Sequence, residues 1–389
     1  MTRKRAVVGF AALALAMSAC SLNTGGTQEE DSKDLACGDV KLAYIGPLTG
    51  ASQTFGTTAF DGVKLARKDF EKKNPDCKIA GIERFDTQGD PGQAPALTQK
   101  AVGNEDIVGV VGPGFSGEVK AALPILDEAG VPSITSSATN ADLSKQGWKV
   151  FHRTVGNDDV ETTGLVDYLV DDQEIKTVAV VDNGQAYGKG SADLFIGKIK
   201  KKGVKVVLND SVDAANQDYS STVIAVNAKK PDAVFCGCLY PEAGRIVKQL
   251  RSANSKATFV SPAGAYSPDF IKDAGASSAE GAYVSAASAP IGKFPGYEKF
   301  AAAWEKEYDT VPDVYSPEAY DAATAYLTAI KEGNRTRSSI NTWLDKADFD
   351  GLSGRIRFSD GGDVDRDEVT IYRVEDGKFK VIAQVPVAS

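Results

Sequence analysis

The chain has 389 residues, 42 % hydrophobic and 25 % charged, ordinary values for globular protein and enough length for more than one hydrophobic core. Its formal charge is −9, about −12 once the three cations near the N-terminus are set aside, and no basic stripe interleaves with aromatics, so nucleic acid is excluded as a partner. One histidine, His152, and no Cys/His/carboxylate cluster at ligand spacing leave neither a metal site nor a Ser/Cys–His nucleophile; no cofactor and no enzyme are expected, and His152 reads as a packing residue.

The first element is a leader. Arg3, Lys4 and Arg5 precede an apolar run over residues 6–17, about a dozen residues, below the roughly 18–20 that cross a bilayer. Residues 1–19 therefore read as a signal peptide. Met17-Ser18-Ala19-Cys20 resembles the lipobox of bacterial lipoproteins, which implies cleavage before Cys20, diacylglycerol on its thiol and an extracytoplasmic protein held at the cell membrane. An ordinary signal peptide is the alternative. Residues 20–37, anchor and linker, are polar and without apolar period.

From residue 38 short β-branched runs alternate with helical stretches. Strands are expected at 40–46, 79–86, 107–112 and 133–135, with helices at 60–73, 94–102 and 117–129 between them. A second cycle follows Thr154: strands at 177–182, 205–209, 233–238 and 258–261, helices at 190–201, 220–228 and 242–253. Helices at 297–308 and 317–333 and a β-rich end from 355 to 387 complete the pattern. Strand followed by crossover helix builds parallel sheets covered on both faces, so the class is α/β with two Rossmann-like lobes. Four cysteines follow the leader, and parity allows two bridges in an oxidising compartment. Cys37 and Cys77 stand just before strands expected to be parallel neighbours, and their bridge would add up to ~4 kcal/mol in the loop-entropy model. For Cys236-Gly237-Cys238 a tight bridge, with Gly237 permitting the bend, and two buried thiols both stand.

Gly112-Pro113-Gly114-Phe115-Ser116-Gly117 matches a dinucleotide fingerprint between strand and helix. The acidic residue that should end the following strand is absent, since the chain reads Ser133-Ile134-Thr135-Ser136-Ser137-Ala138-Thr139. What remains is a helix N-terminus with free N–H groups and the Ser116 hydroxyl, beside a second set of short polar donors, an arrangement that favours a carboxylate.

Gly46-Pro47-Leu48-Thr49-Gly50, Phe55-Gly56, Phe85-Asp86, Asp90-Pro91, the 110–116 loop, 134–139, Gln185-Ala186-Tyr187-Gly188 and Tyr240-Pro241-Glu242 follow in one order. This resembles the type I periplasmic binding proteins, close to the Leu/Ile/Val-binding proteins of branched-chain amino-acid ABC transporters, from about residue 40 to 378. The resemblance implies two lobes joined by three crossover hinge strands, 38–154 with 286–360 and 155–285 with 361–389. It implies a monomer that binds a small molecule, an amino acid or related carboxylate, between the lobes and docks on an ABC permease. Ser116 and Thr139 would hold the ligand carboxylate, with the Ser137–Ala138 backbone beside them. Tyr187 would close over it from the opposite lobe, and Phe55, Tyr315 and Leu239 or Tyr240 would wall the side chain.

Two departures from the family pattern stand out. Ala263, in Ser261-Pro262-Ala263-Gly264-Ala265, occupies the place of the acid that pairs with the ligand ammonium. Either Glu242, Asp269 or Asp321 supplies the charge, or the ligand is an aromatic acid, urea or amide without it. Gly89 and Phe115 take the positions of the family's first-lobe disulfide. A sensor subunit using the same fold is the alternative function.

Overall fold

Apolar, β-branched runs such as Ile107–Val111 and Ala233–Gly237 are buried at every position, as strands covered on both faces must be. The computed structural model describes residues 37–387; the leader, Cys20 and the linker up to residue 36 lie outside the described residues. Five strands, β1 (Lys41–Gly46), β2 (Gly81–Asp86), β3 (Ile107–Val111), β4 (Ser133–Thr135) and β5 (Phe151–Arg153), form an all-parallel sheet in the order β2-β1-β3-β4-β5. Between them run α1 (Gln53–Lys73), α2 (Ala94–Val102) and α3 (Ser116–Glu128).

After β5 the chain crosses to a second sheet through α4 (Asp158–Asp171), a helix absent from the elements expected on sequence. Strands β6 (Thr177–Asp182), β7 (Lys205–Ser211), β8 (Ala233–Gly237), β9 (Thr258–Ser261) and β10 (Tyr283–Ala286) alternate with α5 (Ala186–Lys201), α6 (Ser220–Lys229), α7 (Tyr240–Ser252), α8 (Pro268–Ala274) and α9 (Ala276–Ala279). The chain then returns, and α10 (Tyr297–Tyr308), α11 (Ser316–Lys331) and α12 (Arg337–Leu344) pack on α1 and β3. Tyr326 Oη donates into the first sheet, shared between the Val110 and Pro132 carbonyls at 2.9 Å. A small hairpin, β11 (Asp348–Asp350) and β12 (Arg355–Arg357), precedes the third crossing.

The β-rich end of the chain extends the parallel run of the second sheet. β13 (Glu368–Glu375) pairs antiparallel with β10, and β14 (Lys378–Pro386) antiparallel with β13, so the order β14-β13-β10-β9-β8-β6-β7 adds a hairpin to a parallel run. The alternation of β13, buried in its middle, against β14, half exposed, is that of an edge hairpin.

Two helices begin earlier than their apolar period predicts. α1 starts at Gln53 and α5 at Ala186, which places Phe55 and Tyr187 in first helical turns instead of loops. Both cysteine pairs are bridged, Cys37–Cys77 with Cα atoms 4.8 Å apart and Cys236–Cys238 at 5.3 Å. Gly237 between the latter has a second reason to be glycine: a Cβ there would lie 2.4 Å from the Gly188 carbonyl oxygen in α5. His152 is buried against the Phe358 ring, with Nε2 3.3 Å from Asp345.

Candidate functional site

β3 and β4 end side by side, and the loops that follow them carry the polar groups expected to meet a carboxylate. Ser116 opens α3, where aligned peptide dipoles place about half a positive charge. Its Oγ accepts from the Asn140 N–H at 3.3 Å, which leaves its own proton to donate. The Ser137 hydroxyl is spent on the Gly114 carbonyl at 2.7 Å, while its N–H makes only a long contact of 3.5 Å to Thr135. Thr139 is 2 % exposed, and its hydroxyl bears on the neighbouring Asp158 carboxylate. Ala138 does not join them: it packs in the core, its N–H donates to Thr135 Oγ1 and its carbonyl accepts from Arg153.

Arg153 is a residue that sequence reasoning misses. Fully buried, its guanidinium donates to the Ala138 and Asn140 carbonyls at 3.1 and 3.0 Å and pairs with Asp363 at 2.6 Å. Such a bidentate anchor fixes the 137–140 loop from behind.

From the second sheet comes Tyr187. Its Oη accepts from the Gly264 N–H at 2.8 Å, so its own proton is free to donate. Only glycine fits at 264, because a Cβ would stand 2.5 Å from the Tyr187 ring. Phe55, Phe115, Ser116, Ser137, Gln185, Tyr187, Leu239 and Tyr315 line one narrow cavity between the two sheets. Phe55 is the hub of its apolar wall, edge-on to Phe115, Tyr240 and Tyr315 at 6.4, 5.1 and 5.2 Å between ring centres. Burying such a ring stabilises the closed arrangement by about 1.5–3 kcal/mol. Tyr240 is not a lining residue; its Oη crosses the cleft to the Ala51 carbonyl at 2.8 Å. Phe115 packs against Gly89.

Tyr315 lines both this cavity and a second, which is also lined by Thr139, Glu161, Ala263, Tyr266, Glu318 and Tyr372 among others. Its φ of 67° is a left-handed conformation rarely adopted by a bulky residue, the kind of local strain that gathers at binding sites. Ala263 lines this second cavity, and the acids expected to replace its missing charge do not. Glu242 caps its own helix through the Leu239 N–H, Asp269 accepts from Thr54 Oγ1, and Asp321 accepts from Leu352 and Ser353. The acids that do face it, Glu161 and Glu318, are ones the sequence pattern does not single out. Burial pushes Glu161 up to about 8, with neighbouring Asp158 adding to the rise, and Glu318 up to about 7. Asp158 itself is raised by burial to about 6, against the pull of the Thr139 hydroxyl and of Arg153. Among the described residues no group of three or more His, Cys, Asp or Glu is arranged to hold a metal ion.

Two α/β lobes meeting at the carboxyl ends of their strands, with hydroxyls and a helix N-terminus on one side and a tyrosine on the other, define a solute-binding protein. The chain belongs to the periplasmic binding protein family, matching it over residues 39–378. It is 29 % identical over 353 residues to the Leu/Ile/Val-binding protein BraC3 of Rhizobium johnstonii, covering 89 % of this chain and 94 % of that one. The leucine-binding protein LivK of Thermotoga maritima has the same fold at a TM-score of 0.82 and 25 % identity, over 89 % of this chain and 99 % of its own. A solute-binding protein of R. palustris in complex with benzoate reaches 0.81 at 18 % identity, over 90 % and 98 %, a likeness of fold alone. Members of the family are extracytoplasmic and bind solutes for transport; they are not enzymes.

Proposed function

We propose that this protein captures a branched-chain or other apolar amino acid between its lobes and delivers it to an ABC permease. Residues 38–154 with 286–360 move as one lobe and 155–285 with 361–389 as the other, about hinges near Thr154, Ser285 and Asp360. The protein works as a monomer held at the membrane by lipid on Cys20. The observation that carries this reading is the meeting of Ser116 and Ser137 from one sheet with Tyr187 from the other around a single cavity. In that arrangement Ser116 Oγ and the Ser137 N–H receive the carboxylate, with Thr139 Oγ1 reaching it from the adjoining cavity that Tyr315 also lines. Tyr187 Oη donates from the opposite side, and Phe55, Leu239 and Tyr315 enclose an apolar side chain. Because the ligand contacts both lobes only when they are shut, it selects the closed form by differential contact. The relative named for leucine, isoleucine and valine supports the ligand class.

Calorimetry with L-leucine on Ser116→Ala/Thr139→Ala tests the assignment. Hydrogen bonds to a charged group are worth ~1.5–3 kcal/mol each, so affinity falls at least tenfold. An unchanged dissociation constant removes the carboxylate site from these loops.

A further inference from the structure

Glu161 lies in the first turn of α4, behind the N-cap Asn157, where helix dipoles favour acidic residues. Its side chain points inward and is 1 % exposed. Oε1 is held twice, by the Ala263 N–H and by Ser285 Oγ, both at 2.7 Å. Oε2, equally buried, has no partner. Ala263, whose N–H tethers Glu161, lines the same cavity, and its small side chain leaves room for a carboxylate arriving from α4.

Charge accounting around the second cavity separates Glu161 from its neighbours. Glu318 also carries a buried oxygen without a hydrogen-bond partner and Asp158 has the Thr139 hydroxyl beside it, but each feels a cation through space, Arg153 for Asp158 and Arg366 for Glu318. Among the described residues the charged group that acts on Glu161 is Asp158, of like sign. A carboxylate buried without a partner either stays protonated or awaits a positive charge. Thr139 lines the same cavity, its hydroxyl beside Asp158.

We infer that Glu161, positioned by Ala263 and Ser285, is the group that recognises the ligand's amine, and that the cleft takes a carboxylic acid carrying one ammonium group. The inference rests on the amino-acid reading above and names the residue that decides the ligand class. One carboxylate lacking a cation accommodates one positive charge. A zwitterion fits the cleft; benzoate-like and branched aliphatic acids leave Glu161 unpaired, and diamines add a charge with no partner.

The test compares L-leucine with its des-amino analogue 4-methylpentanoate, with benzoate and with isopentylamine, by calorimetry in two buffers of different ionisation enthalpy. Wild-type protein binds L-leucine at least tenfold more tightly than either acid and releases protons on doing so near pH 7. Glu161→Gln, which keeps the size and one acceptor for Ala263 and Ser285, weakens L-leucine at least tenfold, abolishes most of the proton release and leaves 4-methylpentanoate unchanged. Its melting transition without ligand at pH 8 is no lower than that of wild type, which separates recognition from a structural role. Equal affinity for L-leucine and 4-methylpentanoate in wild type, or unchanged leucine binding and proton release in Glu161→Gln, overturns the assignment. If Ser116→Ala/Thr139→Ala weakens both probes while Glu161→Gln weakens neither, only Glu161 is wrong. If no carboxylate binds but isopentylamine does, and only with Glu161 intact, the amino-acid reading falls and the amine site stands.

Discussion

Asn140 Nδ2 donates to the Ala186 carbonyl at 2.8 Å, joining the residue that follows Thr139 in one lobe to the residue that precedes Tyr187 in the other. The same asparagine gives its backbone N–H to Ser116 Oγ, and its carbonyl accepts from Arg153. A single side chain therefore couples the carboxylate loops to the start of α5, and shutting the cleft and presenting the Ser116 proton are parts of one arrangement. Tyr240 to Ala51 and Thr54 to Asp269 close the other rim.

Removing this latch destabilises the closed form without touching a ligand contact. Asn140→Ala should raise the dissociation rate of L-leucine about 2–10-fold, the worth of one neutral hydrogen bond, with the association rate little changed. Adding Tyr240→Phe should raise it further. Stopped-flow fluorescence measures both rates, and a dissociation rate equal to wild type in the double variant would show that these bonds do not hold the cleft shut.

The parallel framework is legible in the sequence because its strands are short β-branched runs with glycine or proline at their ends, and Ile107–Val111 or Thr177–Asp182 has no competing period. The starts of α1 and α5 are less legible, since Gln53 through Thr58 and Ala186 through Gly190 lack an apolar stripe and are helical through tertiary contacts made by Phe55 and Tyr187. Asn157-Asp158-Asp159-Val160-Glu161 does carry a helix-start signature, an N-cap with three acids in the first turn. Nothing in that pattern says which acids face water. Asp159 is exposed and Glu161 is buried, a difference set by where β10 and the 262–265 turn pass, and so the candidate amine site is invisible until the sheets are assembled. Ser116 and Ser137 are readable because loops at strand carboxyl ends are where such folds bind ligands, whereas Tyr187 is reached only through the family resemblance.

Attachment at the membrane is tested through Cys20 alone. In the native host, the wild-type protein should fractionate with membranes and be freed by detergent, since stable anchoring needs more than one acyl chain. Cys20→Ser should appear in the soluble extracytoplasmic fraction with unchanged L-leucine affinity. Membrane association that survives this substitution would exclude lipid on Cys20 as the tether.

Burial of seven acids sets a pH dependence whose sign can be worked out. Asp158, Asp313 and Asp321 are raised to about 6, Glu118, Glu242 and Glu318 to about 7 and Glu161 to about 8 in the folded protein, against ordinary carboxylate values in the unfolded chain. The groups facing Glu161 are Asp158, which raises it, and the Ser285 hydroxyl and Ala263 amide, which lower it; the Tyr187 and Tyr315 phenols lie near and are themselves raised by burial. Between pH 5 and 8 the folded state holds protons that the unfolded state has lost. Stability therefore falls as pH rises, by about 1.4 kcal/mol per pH step of one for every acid that keeps its proton only in the folded state. Ligand-free protein should melt several degrees lower at pH 8 than at pH 5.5, and Glu161→Gln should flatten the slope. An amine next to Glu161 favours the ionised acid, so L-leucine affinity should rise over the same interval and the bound protein should lose less stability than the free one. A free-protein melting temperature that climbs from pH 5.5 to 8 would mean that these carboxylates are charged and paired in the absence of ligand.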